Sequence, residues 1–267
     1  MAEVVGPLLI KGSMGDISVY WNSRLKKWIA RKKGGADKDK IKKSPAFART
    51  RENNSEFKAC NEWCKLIRVA LFELDHLNYG YYMGAVVKMA KNIQLMDQDH
   101  LRGHRNIEPS KYKSLLTEIN FNEEHPFKQV LLRHPEVTAD DKRQSITVNL
   151  PQFYPRGELI WRRPFSLYRL TVTIAQLSDY KWVELHRAYE MTHPGLKAKK
   201  VTVYSDWMAP GTETIDLSLT ASFADQSIPP SDATVLVGLG IEFATTLSNN
   251  SISWTKGDGT MALIDCL

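Results

Sequence analysis

Val235-Leu236-Val237-Gly238-Leu239-Gly240-Ile241-Glu242-Phe243 is the stretch whose reading decides the fold. Its residues are apolar on both alternating faces, with Glu242 the single charge. A strand with one wet face would alternate, so this run belongs in the middle of a sheet. Working outward, Ile252 and Trp254 mark a further strand. Met261 to Ile264 mark another, after a turn at Gly257-Asp258-Gly259. Upstream, Leu170, Val172 and Ile174 alternate with Thr171 and Thr173, and Ile215, Leu217 and Leu219 alternate with Asp216 and Ser218. From Gln144 onward the period is two. Short strands with turn signals between them predict an antiparallel β-sandwich, immunoglobulin-like or similar, over residues 126–267. Gly238 and Gly240 lie inside the strand pattern, which predicts close packing or a bulge.

The period changes toward the N-terminus. Phe57, Cys60, Cys64, Ile67, Leu71 and Leu74 fall three and four apart, as do Tyr82, Val86, Met89, Ile93 and Met96. Each set lines one face of a helix. Asn78 and Gly80 separate them, Ser55 is a candidate N-cap, Ser44-Pro45 resembles a helix entry, and a shorter helix is expected near Lys111 to Ile119. Residues 44–125 therefore read as a helical region containing a helical hairpin. Residues 1–43 read as strands and a basic arm: Ile17, Val19 and Trp21 alternate with Ser18 and Tyr20, and Lys27 to Arg31 returns as the second strand of a β-hairpin. A charged loop follows from Lys32 to Lys43. The fold class is α+β.

Composition is that of a folded chain, with 43% hydrophobic and 25% charged residues, which argues against wholesale disorder. The three cysteines, Cys60, Cys64 and Cys266, form no disulfide framework and suit a reducing compartment. Met1 to Ile10 lacks a basic n-region and is broken by Gly6-Pro7, unlike a secretory signal. No run reaches the length of a membrane span. The expected address is the cytoplasm. Charge is unevenly spread: residues 1–70 carry 16 basic and 7 acidic side chains, whereas residues 201–267 carry one basic residue, Lys256, and 8 acidic ones.

Few residues offer catalytic chemistry. His100 and His104 are four apart, with Asp97 and Asp99 nearby, the spacing of a helical metal pair. Gly103 weakens a helix there, and Arg102 and Arg105 repel a cation. His125, His134 and His193 each precede a proline, marking loops, and none has a partnered nucleophile. Nucleophile-elbow, phosphate-loop and dinucleotide motifs are missing. The reading is no catalytic residue, no metal and no cofactor, with an enzyme of unrecognised type as the third-ranked possibility. The aromatic run Trp161-Arg162-Arg163-Pro164-Phe165, with Phe153 and Tyr154, lines a groove or fills a core.

Three segments share a further pattern: Gly12-x-x-Gly15-Asp16 with Arg31-Lys32-Lys33-Gly34-Gly35, Pro45 to Asn53 with Glu56-Phe57, and Leu239-Gly240-Ile241-Glu242-Phe243. Together they resemble a group of proteins from Bacteroidota genomes. The resemblance implies a natural unit of helical and β-rich parts. It transfers no catalytic residue and no ligand.

Two functions follow as expectations. The first is a non-catalytic, self-assembling structural protein that associates head to tail with copies of itself. Its contact would join the hairpin and arm (Ile17, Val19, Trp21, Trp28, Arg31, Lys32, Lys33, Lys42, Lys43) to an acidic face (Asp206, Glu213, Asp216, Asp225, Asp232). The alternative is a nucleic-acid-binding accessory protein. It would use Arg24, Lys26, Lys27, Arg31, Lys32, Lys33, Lys38, Lys40, Lys42 and Lys43 on phosphates, with Trp21 and Trp28 available to stack on bases.

Overall fold

The computed structural model describes residues 2–3, 11–80, 82–197, 199–223, 228–248, 251–255 and 257–267. Met1 and residues 4–10, read above for a leader, lie outside this set. The chain divides into two compact units, Met1–Arg51 and Glu52–Leu267.

The first unit is built on a four-stranded antiparallel sheet of β1 (Ala2–Glu3), β2 (Gly12–Met14), β3 (Ile17–Asn22) and β4 (Lys27–Lys32), in the order β1-β4-β3-β2. The expected hairpin is β3–β4. Its turn is held by the Asn22 side chain, whose Oδ1 accepts the Leu25 N–H at 3.0 Å. The Lys32–Lys43 stretch is not wholly a loop, because α1 (Lys38–Lys43) forms within it. Asp37 caps that helix by accepting the Asp39 N–H at 3.1 Å. Lys40, Lys42 and Lys43 complement its C-terminal end. Arg51 donates to the Ile41 and Ser44 carbonyls at 2.9 and 2.8 Å, satisfying acceptors the short helix leaves open.

Most of α2 (Ala48–Ala70) lies in the second unit, followed by a 3₁₀ stretch at Phe72–Leu77 and by α3 (Tyr82–Met96). Gly80, with φ +85°, makes the break between them. Three details depart from the spacing, one being Met96 of the α3 set, which is 41% exposed. Ser55 is inside α2 rather than at its start, and its hydroxyl donates to the Gly103 carbonyl at 2.9 Å. Phe57 is 57% exposed and stands off the apolar face. The segment near Lys111–Ile119 is 3₁₀ turns at Pro109–Lys111 and Lys113–Glu118.

The β part begins after the single turn α4 (Phe127–Val130), with β5 (Glu136–Ala139), β6 (Ser145–Phe153) and the turn α5 (Pro155–Glu158). It continues with β7 (Leu167–Leu177), β8 (Tyr180–Val183), β9 (Ala188–Met191), β10 (Lys200–Tyr204), β11 (Ile215–Ser222), β12 (Thr234–Thr246), β13 (Ile252–Ser253) and β14 (Gly259–Cys266). Pairing between these strands is antiparallel. β12, the quoted central run, pairs with β7 on one side and with β14 and β13 on the other, and β10 extends β7. A second sheet has the order β11-β6-β5, and β8–β9 is a separate hairpin.

The β12 sheet contributes to two apolar clusters. In one, Leu177, Leu236 and Leu263 pack with Trp63, Leu74 and Ile93 of the helical part. In the other, Val172, Val235 and Ile241 pack with Ile146, Val148 and Phe153 of the second sheet. Within the second unit, the helical residues 52–125 and residues 126–267 therefore share a core. The threonines that make β7 look half-wet are buried: Thr171 and Thr173 are 0% exposed. Thr171 donates to Glu242 at 3.1 Å, and the Thr173 and Thr202 hydroxyls are 2.8 Å apart. Gly238 and Gly240 allow the 3₁₀ stretch to approach, since a Cβ on Gly240 would stand 2.7 Å from both Leu74 and Leu77. The register also shifts between Val237 and Gly238, so the close approach and the bulge coincide. Among the described residues no helix is long and apolar enough to cross a membrane.

Candidate functional site

Strand register sorts the first unit's side chains. Trp21 lies opposite Trp28, Val19 opposite Ala30, and Ile17 opposite Lys32 and Met14. Directly opposed residues share a face, so Met14, Ile17, Val19, Trp21 and Trp28 form one apolar surface. The two indoles meet edge to face, 5.7 Å between centroids. Met14, Ile17 and Trp21 are 63%, 47% and 49% exposed. Ile29 is buried on the other face, where the Arg31 guanidinium stands 5.5 Å over the Tyr20 ring. Val19 and Ile29 are the only buried side chains among the unit's described residues.

The basic residues frame this sheet. Lys32 ends β4 on the apolar face, Arg31 lies on the opposite face, Lys33 follows, and Lys38, Lys40, Lys42 and Lys43 ride on α1. Arg24, Lys26 and Lys27 surround the β3–β4 turn, with Lys26 at φ +49°. All are exposed except the half-buried Lys27.

The described acidic residues lie at several strand ends. Asp206 is exposed after β10, whose Tyr204 pairs with Thr171. Asp232 precedes β12, whose Thr234 pairs with Leu177 at the other end of β7. Asp232 also accepts His193 Nε2 at 2.7 Å, which holds its carboxyl below the usual range. Glu213 and Asp216 are exposed at the start of β11, and Asp216 accepts the Gln152 N–H at 2.7 Å. Asp225 lies outside the described residues. Of the acidic residues expected to meet the arm, Asp216 and Asp232 are also engaged within the fold.

His100 and His104 diverge. His100 Nδ1 lies 2.9 Å from Asp97, whose oxygens also accept the Asp99, His100 and Asn106 N–H groups. Burial pushes the Asp97 carboxyl up, but the Asn106 N–H and the His100 ring outweigh it and hold it low. His104 stacks flat on Trp182 at 4.0 Å. Among the described residues no three potential ligands converge. In the aromatic run, Trp161 stacks on Phe243 at 4.7 Å and Phe153 packs against Tyr168 at 6.2 Å, so both serve the core, while the run from Trp161 to Phe165 also lines an open groove of about 370 Å³.

Two features escaped the sequence reading. Glu242, the lone charge of the central strand, is 1% exposed and sits opposite Arg169, which donates to it at 2.7 and 3.1 Å. Tyr204 and Trp207 cover that guanidinium at 4.9 and 4.7 Å, and Trp254 lies 5.9 Å away. Burial raises the Glu242 carboxyl, and His76 and Arg169 together pull it below its ordinary value. A charge inside an apolar run requires such a partner, and that was the available signal. The second feature is a cleft of about 620 Å³ along β14, formed by segments distant in sequence.

No protein-family model, curated protein or solved structure matches this chain.

Proposed function

We propose that this protein is a non-catalytic structural subunit that associates with copies of itself through its N-terminal unit. One observation carries the reading: a four-stranded sheet with two buried side chains leaves Met14, Ile17 and Trp21 exposed on one face. A body this small has too little core to hold itself, and an exposed apolar face of aromatic character fits an interface. Charge favours a second copy as the partner. Residues 1–51 hold 13 basic and 4 acidic side chains, net +9, and residues 52–267 hold 23 and 26, net −3. A contact between unlike surfaces of identical chains repeats into a ring or a filament. The two sheets that share a core in the second unit are read as the halves of a sandwich, the rigid body of the subunit.

The test is sedimentation of the full chain with Lys32, Lys33, Lys42 and Lys43 reversed to Glu. The expected result is a single-copy species with the far-ultraviolet spectrum of the parent. An unchanged assembly at moderate salt rejects the contact. Copurified nucleic acid, removed steeply by salt in the parent and absent from the reversal, would transfer the basic residues to the nucleic-acid alternative.

A further inference from the structure

Among the edge strands of the described residues, β14 and β2 are of complementary kind. β14 pairs with β12 on one side only. Among the described residues, no backbone hydrogen bond reaches Met261–Ile264 from any segment other than β12. That edge is the floor of the cleft of about 620 Å³, a volume ordinary for a binding site. Ile119 lines one wall, and Phe127, Leu131 and Leu132 line the other. Leu132 is 53% exposed, an apolar side chain held at the mouth. An edge with unmade backbone bonds between apolar walls is suited to an added strand, with the backbone giving affinity and the walls reading alternate side chains.

Among the described residues, β2 is the corresponding edge of the first unit, paired with β3 alone. Gly12 and Ser13 bring little bulk, and Met14 is a long apolar side chain for a wall. Exposed Lys11 and Asp16 bracket it, while Glu118, Lys128, His134 and the Glu158-paired Arg133 line the cleft. The net charges of +9 and −3 draw the two bodies of neighbouring copies together.

We propose that β14 is the receiving edge of the self-association, and that β2 of a second copy adds to it as a strand. This rests on the self-association reading above and names its docking site. Each copy then presents β2 to one neighbour and β14 to the next.

The test is cross-linking between two populations of full-length chain, one carrying Ser13→Cys and an affinity tag, the other carrying Ala262→Cys. The native cysteines are all buried. A disulfide needs Cα atoms within roughly 7 Å. Mild oxidation is expected to give a mixed dimer at least about tenfold above that formed with Thr138→Cys, a control on β5. Leu132→Cys on the cleft wall provides a second pair should Ala262→Cys disturb the strand. Oligomers in sedimentation with neither pair above the control overturn the β14 site and leave self-association standing. A single-copy species at every concentration overturns both.

Discussion

The two units hold themselves together in different ways. In Glu52–Leu267 the side chains of Trp63, Phe121, Phe153 and Tyr168 are fully buried, and the central sheet is covered on both faces. In the first unit, Val19 and Ile29 alone are buried among the described residues, and the larger apolar groups face outward. The comparison separates two uses of an apolar residue. In the second unit, burial within the chain sets stability. In the first, under the self-association proposed above, exposure marks where contact between copies would complete stability.

Core truncation should break that comparison most sharply. Trp63→Ala removes a fully buried indole whose N–H donates to the Ser178 carbonyl at 3.3 Å. It is expected to cost about 4 kcal/mol, measured by urea unfolding. Arg169→Ala leaves Glu242 buried without its guanidinium partner and is expected to cost about 3 kcal/mol. Raising the pH should then destabilise that variant further relative to the parent, because the carboxyl, having lost its guanidinium partner, ionises inside the sheet. Gly259→Ala should cost about 2 kcal/mol, since its Cβ would collide with the Ile241 carbonyl of the neighbouring strand.

Acid provides a subtler probe. The Asp97, Glu158 and Glu242 carboxyls are held below their ordinary range in the folded chain. Unfolding returns them to about 4, so the unfolded chain binds protons more readily. Their contribution is present above that value and is lost as pH falls through the lower folded values. Asp179 opposes them: burial raises its carboxyl, and its protonation relieves a penalty. A net fall in urea midpoint below pH 4 is expected, and an unchanged midpoint contradicts the pairing described. The smallest stability change is expected for Trp21→Ser, under about 0.5 kcal/mol for a half-exposed side chain, yet it should abolish association.

Sequence spacing exposed what depends on local periodicity. Cys60, Cys64, Ile67, Leu71 and Leu74 marked the buried face of α2 and the turn after it, and Val235–Phe243 marked the central strand. What depends on layering was hidden. Thr171 and Thr173 suggested a wet face because nothing local shows that a helical layer lies over them. The Arg169–Glu242 pair brings together residues 73 apart, and the cleft joins segments from Thr117 to Ile264. A charge sum likewise has no coordinates: Asp206 and Asp232, counted together, flank opposite ends of β7.

The measurement that tests the central claim most directly is sedimentation velocity of the nuclease-treated full-length chain, across a concentration series at low and high salt, beside Trp21→Ser. The account predicts species larger than one copy that grow with concentration, shrink with salt and are lost in the variant. A parent chain that sediments as a single copy throughout would contradict it.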